Sequence, residues 1–414
     1  MRWSIFRVSL LLSVLALGLT FGFRKNKPEP KPESAQTTSE EEGSSDSETG
    51  QASKIQSEPD APALFEAALP IAIQSTPTGL ANISAQGCNA CHQAACDDWQ
   101  DSAHSQAWKR ETFQTAITHA GDSTLCTGCH LPLTNQHANI AVGYLEGDAS
   151  RPDLRPNNAW DPTLMTEGVT CAACHVREQD QEDGTSRAVV IASRPVKGAP
   201  HPTAYSTELS SSEMCATCHQ LTWPEADKPF YDTYGEWSKS AYAAAGVQCQ
   251  DCHMPPKASA ALATHFASSP AHTWDIDPTR AVSLLIKLDT PVVQRGEAFT
   301  VQSTLQNTGA GHHFPTGSPY KTYRITTQIV GAEQGPLTEA MHTDLGRKIE
   351  DAPPWNTLED NRIAAGDAMT FEQEFVVKQS KKAQKGLIRV TLERMVGDSV
   401  SETDTLQEIP ISIR

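Results

Sequence analysis

At 414 residues the chain has room for two compact domains and additional segments. Its apolar fraction of 38% falls below the ~45–50% of an ordinary globular protein, so a core made of side chains alone is short of material. A formal charge of −17 argues against nucleic acid or an anionic membrane surface as the binding partner.

Residues 1–27 read as a signal peptide or signal anchor. Arg2 and Arg7 form a basic start, and an uncharged run from Val8 to Phe23 follows. At 16 residues the run is just below the ~17–25 of a spanning helix, and Arg7 can snorkel to lengthen it. The nearest small-x-small pattern, Ala16-Leu17-Gly18, would leave Leu19 to Phe23 exposed after cutting, which favours an uncleaved anchor. No cysteine follows the run, which excludes a lipid anchor at a processed end. Either form predicts export, in a bacterium to the periplasm or the outer face of the inner membrane. Residues 28–62 read as an acidic Pro/Ser/Glu linker: Pro28, Pro30 and Pro32 precede a tract such as Ser39-Glu40-Glu41-Glu42-Gly43 that lacks the apolar surface to fold.

Residues 63–278 carry five copies of Cys-x-x-Cys-His: Cys88/Cys91/His92, Cys126/Cys129/His130, Cys171/Cys174/His175, Cys215/Cys218/His219 and Cys249/Cys252/His253. Two thiols at this spacing reach the two vinyl groups of one porphyrin, and the adjacent histidine lies under the iron as proximal ligand. Zinc is the competing chemistry for CxxC pairs. Zinc ribbons, however, use pairs in twos and give no reason for a histidine after every pair. Ten of the eleven cysteines are consumed this way. The reading is five covalently attached haem c groups, which also offset the apolar shortfall. The motifs recur at intervals of 38, 45, 44 and 34 residues, so short helices around each motif joined by irregular linkers are expected.

Nine histidines remain for sixth ligands: His104, His119, His137, His201, His265, His272, His312, His313 and His342. They suffice for bis-histidine coordination throughout, which gives low-spin irons suited to electron transfer. His104, in Trp99-Gln100-Asp101-Ser102-Ala103-His104 and expected on a helix, leads the distal candidates. His201 and His272 follow, stiffened by Pro200, Pro202 and Pro270; His119 is preferred over His137. Met254, next to His253, cannot reach the opposite face of its own haem. Two segments echo each other. Trp237-Ser238-Lys239-Ser240-Ala241-Tyr242 repeats the His104 segment with tyrosine in place of histidine, and Gly246-Val247-Gln248-Cys249 repeats Gly168-Val169-Thr170-Cys171. A duplicated two-haem unit is the reading, with Tyr242 marking either a ligand drawn from elsewhere or an open position.

Residues 279–414 contain no cysteine, and apolar side chains alternate there with polar ones. Phe299/Val301/Ser303/Leu305, Tyr323/Ile325/Thr327/Ile329, Phe371/Gln373/Phe375/Val377 and Ile388/Val390/Leu392 have the period of half-buried strands. The fold class expected is mixed α and β as separate domains: a mainly helical and irregular multihaem domain followed by an immunoglobulin-like antiparallel β-sandwich. Within it, Gly309-Ala310-Gly311-His312-His313-Phe314-Pro315-Thr316-Gly317 puts a histidine pair among glycines that permit close backbone approach. His312 is expected to cross between domains to a haem; the competing role is a loop histidine bonded to backbone.

The first motif with Trp99, Ser102 and His104 resembles the opening of the cytochrome c-554 family of multihaem cytochromes, itself similar to hydroxylamine oxidoreductase in haem stacking. Glu167 to His175 and Gly246 to Pro255 resemble later segments of that family. The resemblance covers most of 87–255 and implies an electron carrier with a distal ligand at the position of His104. Cys96 departs from it, standing where the family often has a bulky residue; a buried inert thiol is expected. The loop from Asn307 to Gly317 is similar to one in sandwich domains attached to multihaem cytochromes, where His312 matches the histidine.

The function expected is electron transfer between basic or neutral redox proteins outside the cytoplasm. The alternative is a redox enzyme for small nitrogen compounds with one open haem. No CxxCK variant is present, so the lysine-ligated haem of pentahaem nitrite reductases has no counterpart here.

Overall fold

The computed structural model describes residues 70–414 apart from 121–123, 148–151, 224, 259–267, 275–276, 332–334 and 382. The signal or anchor of 1–27, the linker of 28–62 and His265 lie outside the described residues.

Short helices carry the five motifs. Helix α1 (Ala85–Gln100) holds the first and α2 (Glu111–Ala120) follows it; α3 (Thr124–His130) holds the second. Helix α4 (Pro162–Met165) leads to α5 (Cys171–His175), the third motif, and α6 (Ser212–His219) holds the fourth. Then α7 (Thr233–Ser238) and α8 (Ala241–Ala244) precede α9 (Cys249–His253), the fifth. In α3, α5, α6 and α9 the motif histidine is the last helical residue, and in α1 the helix breaks at His92 (φ −114, ψ 39). Polar side chains start these helices: Ser84 accepts from Gly87 N, Ser211 from Glu213 N, and Asp251 returns to Gln248 N.

His104 is not on a helix, contrary to expectation. Helix α1 stops at Gln100 and a run of turns carries His104. The Ser102 hydroxyl donates to Trp99 O (2.7 Å) and the Ser105 hydroxyl to Gln100 O (2.7 Å), so side chains take carbonyls at the helix end.

The stretches between motifs are also more regular than expected. They form three small sheets: β1 (Asn139–Tyr144) with β2 (Pro152–Pro156); β3 (Val176–Asp180), β4 (Ser186–Ala192) and β5 (Thr203–Tyr205); and β6 (Pro256–Ala258) with β7 (Ser268–Pro270). Val189 and Ile191 on β4 are buried, and β3 continues directly from α5. The β-branched run therefore packs behind the third motif.

From Val282 onward strands dominate: β8 (Val282–Leu288), β9 (Val292–Val293), β10 (Ala298–Asn307), β11 (Thr322–Gly331), β12 (Gly335–Pro336), β13 (Met341–Leu345), β14 (Arg347–Ile349), β15 (Thr357–Asp360), β16 (Ala368–Val376), β17 (Lys385–Val396) and β18 (Ser399–Ile413). One sheet runs β16-β10-β8, a second β12-β11-β17-β18-β9 with β13 on β11, and β14 pairs with β15 in a two-stranded third. All pairs are antiparallel except β18 with β9. The alternating side chains read from the sequence point into one core: Val301, Leu305, Ile325, Ile329, Ile388 and Val390 are fully buried in it. Each such side chain contributes about 1.5–3 kcal/mol.

The strand-rich segment touches the haem-bearing one through polar groups. The Arg347 guanidinium donates to Pro229 O (2.8 Å) and Phe230 O (2.6 Å), and Lys228 pairs with Asp360 at 3.4 Å.

Candidate haem-binding site

All five motifs open onto one cavity of about 3340 Å³, lined by the ten motif cysteines and the five motif histidines. Small-ligand sites enclose ~300–1,000 Å³, so this space accommodates several porphyrins. Motif thiols face one another across it: Cys88 meets Cys171, Cys129 meets Cys218 and Cys215 meets Cys249.

The histidine rings are oriented by backbone. His130 Nδ1 donates to Ala107 O (2.6 Å), His175 Nδ1 to Ile191 O (3.0 Å) and His253 Nδ1 to Trp274 O (2.8 Å). A carbonyl only accepts, so Nδ1 carries the proton and Nε2 keeps its lone pair for a metal. His272 and His312 follow the same rule, with Nδ1 on Pro270 O (2.9 Å) and His313 O (2.9 Å).

Three rings face motif histidines. Ring centres are 6.2 Å apart for His104 and His219, 6.3 Å for His175 and His272, and 6.2 Å for His253 and His312. A metal about 2 Å from each of two opposed imidazole nitrogens, with ring centres about 1 Å further back, separates those centres by about 6 Å. His104 Nδ1 is buried without a hydrogen-bond partner. Burial, with His219 nearby, holds His104 down at about 3, and burial, with His175 nearby, holds His272 down at about 4. Both are neutral imidazoles at pH 7, the form that binds a metal. The residues present fit haem.

The other histidines divide clearly. His201 lines the same cavity, with Nδ1 3.4 Å from Pro202 O. His119 falls on α2, but its side chain lies outside the described residues. His137 turns Nε2 into Leu131 O at 2.7 Å, and His342 Nδ1 sits 2.9 Å from the Thr326 hydroxyl. Cys96 is buried, its thiol 3.5 Å from Ala85 O. Tyr242, which marked either a borrowed ligand or an open position, donates its hydroxyl to Thr308 O at 2.7 Å.

Several residues at the site gave no signal in the sequence. Trp274 sets its ring edge-on to His104 (4.5 Å) and to His272 (5.3 Å) while its carbonyl takes the His253 proton. Phe113 stacks on His130 at 3.7 Å. Tyr231, beside Cys126 and Cys129, is pushed up to about 12, chiefly by burial. Glu236 is buried under the His312 loop. Burial alone would raise its carboxyl, but His313, Arg362 and Thr316 hold it at about 2.

A family model for cytochrome c552 matches residues 72–276. In structure the chain is similar to a penta-heme cytochrome c552 from Thermochromatium tepidum, with TM-score 0.55 and 16% identity, covering 82% of this chain and 100% of that one. That coverage extends past the matched 72–276 into the strand-rich segment, and at this identity the likeness is one of fold. Weaker matches include an alkylpurine DNA glycosylase of Pseudomonas fluorescens (14% identity, 32% of this chain and 30% of that one, TM-score 0.19). A beta-glucosidase from Listeria innocua matches similarly (13%, 32% and 16%, TM-score 0.18); neither carries an argument. No curated protein matches the chain. The findings support a multihaem c-type cytochrome with covalent haem c. The family model matched is that of cytochrome c552, and it does not confirm the resemblance of the motifs to the cytochrome c-554 group.

Proposed function

We propose that the chain is an exported cytochrome that carries electrons between redox partners through five covalently bound haems. The observation that carries this reading is the single cavity onto which all five motifs open, with three opposed histidine pairs across it. His104 is assigned as sixth ligand to the haem of His219, His272 to that of His175 and His312 to that of His253. His201 and His119 remain for the haems of His92 and His130. Bis-histidine ligation keeps an iron low-spin and closed to substrate, while burial and hydrogen bonds to the ligands set its potential.

The facing thiols support an order. The first haem lies beside the third, the second beside the fourth and the fourth beside the fifth. Cys174 lies near Cys215 and Cys218, which links the third to the fourth. The fourth haem is then the branch point of the array. The strand-rich segment, read as an immunoglobulin-like sandwich, serves as a docking module that also supplies His312. Export to the periplasm, an N-terminal anchor with an acidic tether, and a basic or neutral protein partner complete the proposal; the −17 charge favours such a partner over nucleic acid.

A second reading, a redox enzyme for small nitrogen compounds, is favoured by the second motif. There the ring stacked on His130 is that of Phe113, with centres 3.7 Å apart. EPR of the oxidised protein, combined with carbon monoxide titration after reduction, tests both. All haems low-spin with no carbon monoxide adduct is the expected result. One high-spin, carbon-monoxide-binding haem assigns the chain to the enzyme reading.

A further inference from the structure

The sequence echo between the His104 and Tyr242 segments has a structural counterpart. Val169 N donates to His104 O at 3.0 Å, and Val247 N donates to Tyr242 O at 3.0 Å. The Trp99 indole donates to Val169 O (2.7 Å) and the Trp237 indole to Val247 O (3.0 Å). Gly168 and Gly246 both have positive φ, +62° and +78°, where a side chain would be strained. The two stations thus share a backbone and differ in what they present. The first sends the His104 ring towards His219. The second turns its side chain away to hold the carbonyl of Thr308.

The loop held there brings a histidine of its own. A Cβ on Gly311 would stand 3.2 Å from both Trp237 Cδ1 and Tyr242 Cβ, so the loop backbone rests directly on the second station. One residue on, His312 faces His253. On its other flank Glu236 is 3.2 Å from His313 N, 3.1 Å from His313 Nδ1 and 2.6 Å from the Thr316 hydroxyl, while Arg362 Nη1 pairs with it at 2.6 Å. The Glu236 side chain is only 2% exposed. A helix of the haem-bearing segment and a strand-segment arginine therefore grip the loop from below.

We propose that Tyr242 and Glu236 are positioning residues that clamp the 308–316 loop, so that the sixth ligand of the fifth haem depends on the strand-rich segment being docked. The first station presents a ring of its own, His104, to His219; the second presents none and instead holds the loop that brings His312 to His253. Release of the clamp withdraws His312 and leaves a coordination position that a small neutral ligand, such as carbon monoxide or imidazole, can fill. This inference rests on His312 being an axial ligand.

The test uses the full-length holoprotein with His312→Ala, Glu236→Gln and Tyr242→Phe, read by EPR spin state and carbon monoxide stoichiometry beside thermal melting. His312→Ala is expected to open one haem completely, and added imidazole to return it to low spin. Glu236→Gln is expected to open most of that same haem, with the same rescue. Tyr242→Phe, which removes one hydrogen bond, is expected to raise the open fraction about tenfold. Variants at 236 and 242 that melt earlier yet keep every haem low-spin, while His312→Ala opens one, would overturn the clamp. An unchanged spectrum in His312→Ala overturns the ligand assignment beneath it instead. Tyr242→Phe keeps the test decisive if Glu236→Gln fails to fold.

Discussion

Among the described residues, twenty buried apolar side chains meet in one cluster between Val282 and Ile413, whereas nine do so between Ile71 and Ala188. The haem-bearing segment is organised instead around a cavity of about 3340 Å³. The two halves thus answer the same shortage of apolar residues differently. Strands spend side chains on a shared core, while the motif helices, most of them five to eight residues long, are too short to stand by themselves. What fills the cavity is then the core of the haem-bearing half, while the strand half adds part of the wall around it.

The largest effect should come from removing a cofactor. Cys171→Ser with Cys174→Ser in the full chain prevents attachment at the third motif, behind which β3 and β4 pack. Hydrogen exchange is expected to show protection lost across the haem-bearing segment while β10, β11 and β17 keep theirs; uniform loss would erase the contrast. Next in size is Ile325→Ala, a fully buried side chain of the strand core. It should cost about 2–5 kcal/mol in urea unfolding with the haem spectrum untouched.

Acid probes the seam between the halves with a smaller effect. Burial alone would raise the Asp360 carboxyl, but Arg362 and Lys228 hold it at about 2, below its usual 3.8. A depressed carboxylate contributes stability above its unfolded value and loses it as pH falls towards the folded one. Because solvent screens this half-buried carboxyl, about 1 kcal/mol should disappear as pH falls from ~4 towards ~2. In Asp360→Asn that acid loss should be reduced; an identical acid profile in the variant would remove Asp360 from the seam.

Much of this was legible in the sequence because it was local. The motif spacing picked out the ten thiols and five histidines that line one cavity, and period-two alternation found Val301, Ile325 and Ile388 on the buried face. His104, His272 and His312 were named from their surroundings, and all three face motif histidines. The remainder depended on distance along the chain. Glu236 and Arg362 stand 126 residues apart, and no local pattern predicts their pairing. The Tyr242 side chain reads as a lost ligand until Thr308, 66 residues on, appears beneath its hydroxyl. His104, shortly after the first motif, reads as helical, yet Ser102 and Ser105 take carbonyls at the helix end through their hydroxyls.

The facing thiols carry a consequence for the order of biogenesis. Cys88 meets Cys171, Cys129 meets Cys218 and Cys215 meets Cys249, each pair joining two different motifs. In an oxidising compartment, a chain that closed before receiving its porphyrins would bring these sulfurs together as ready partners for cross-linking. Every such bridge would disable two attachment points at once. Under those conditions, loading before closure would keep these six sulfurs available for attachment, and haem acquisition would come before this half reaches its final shape.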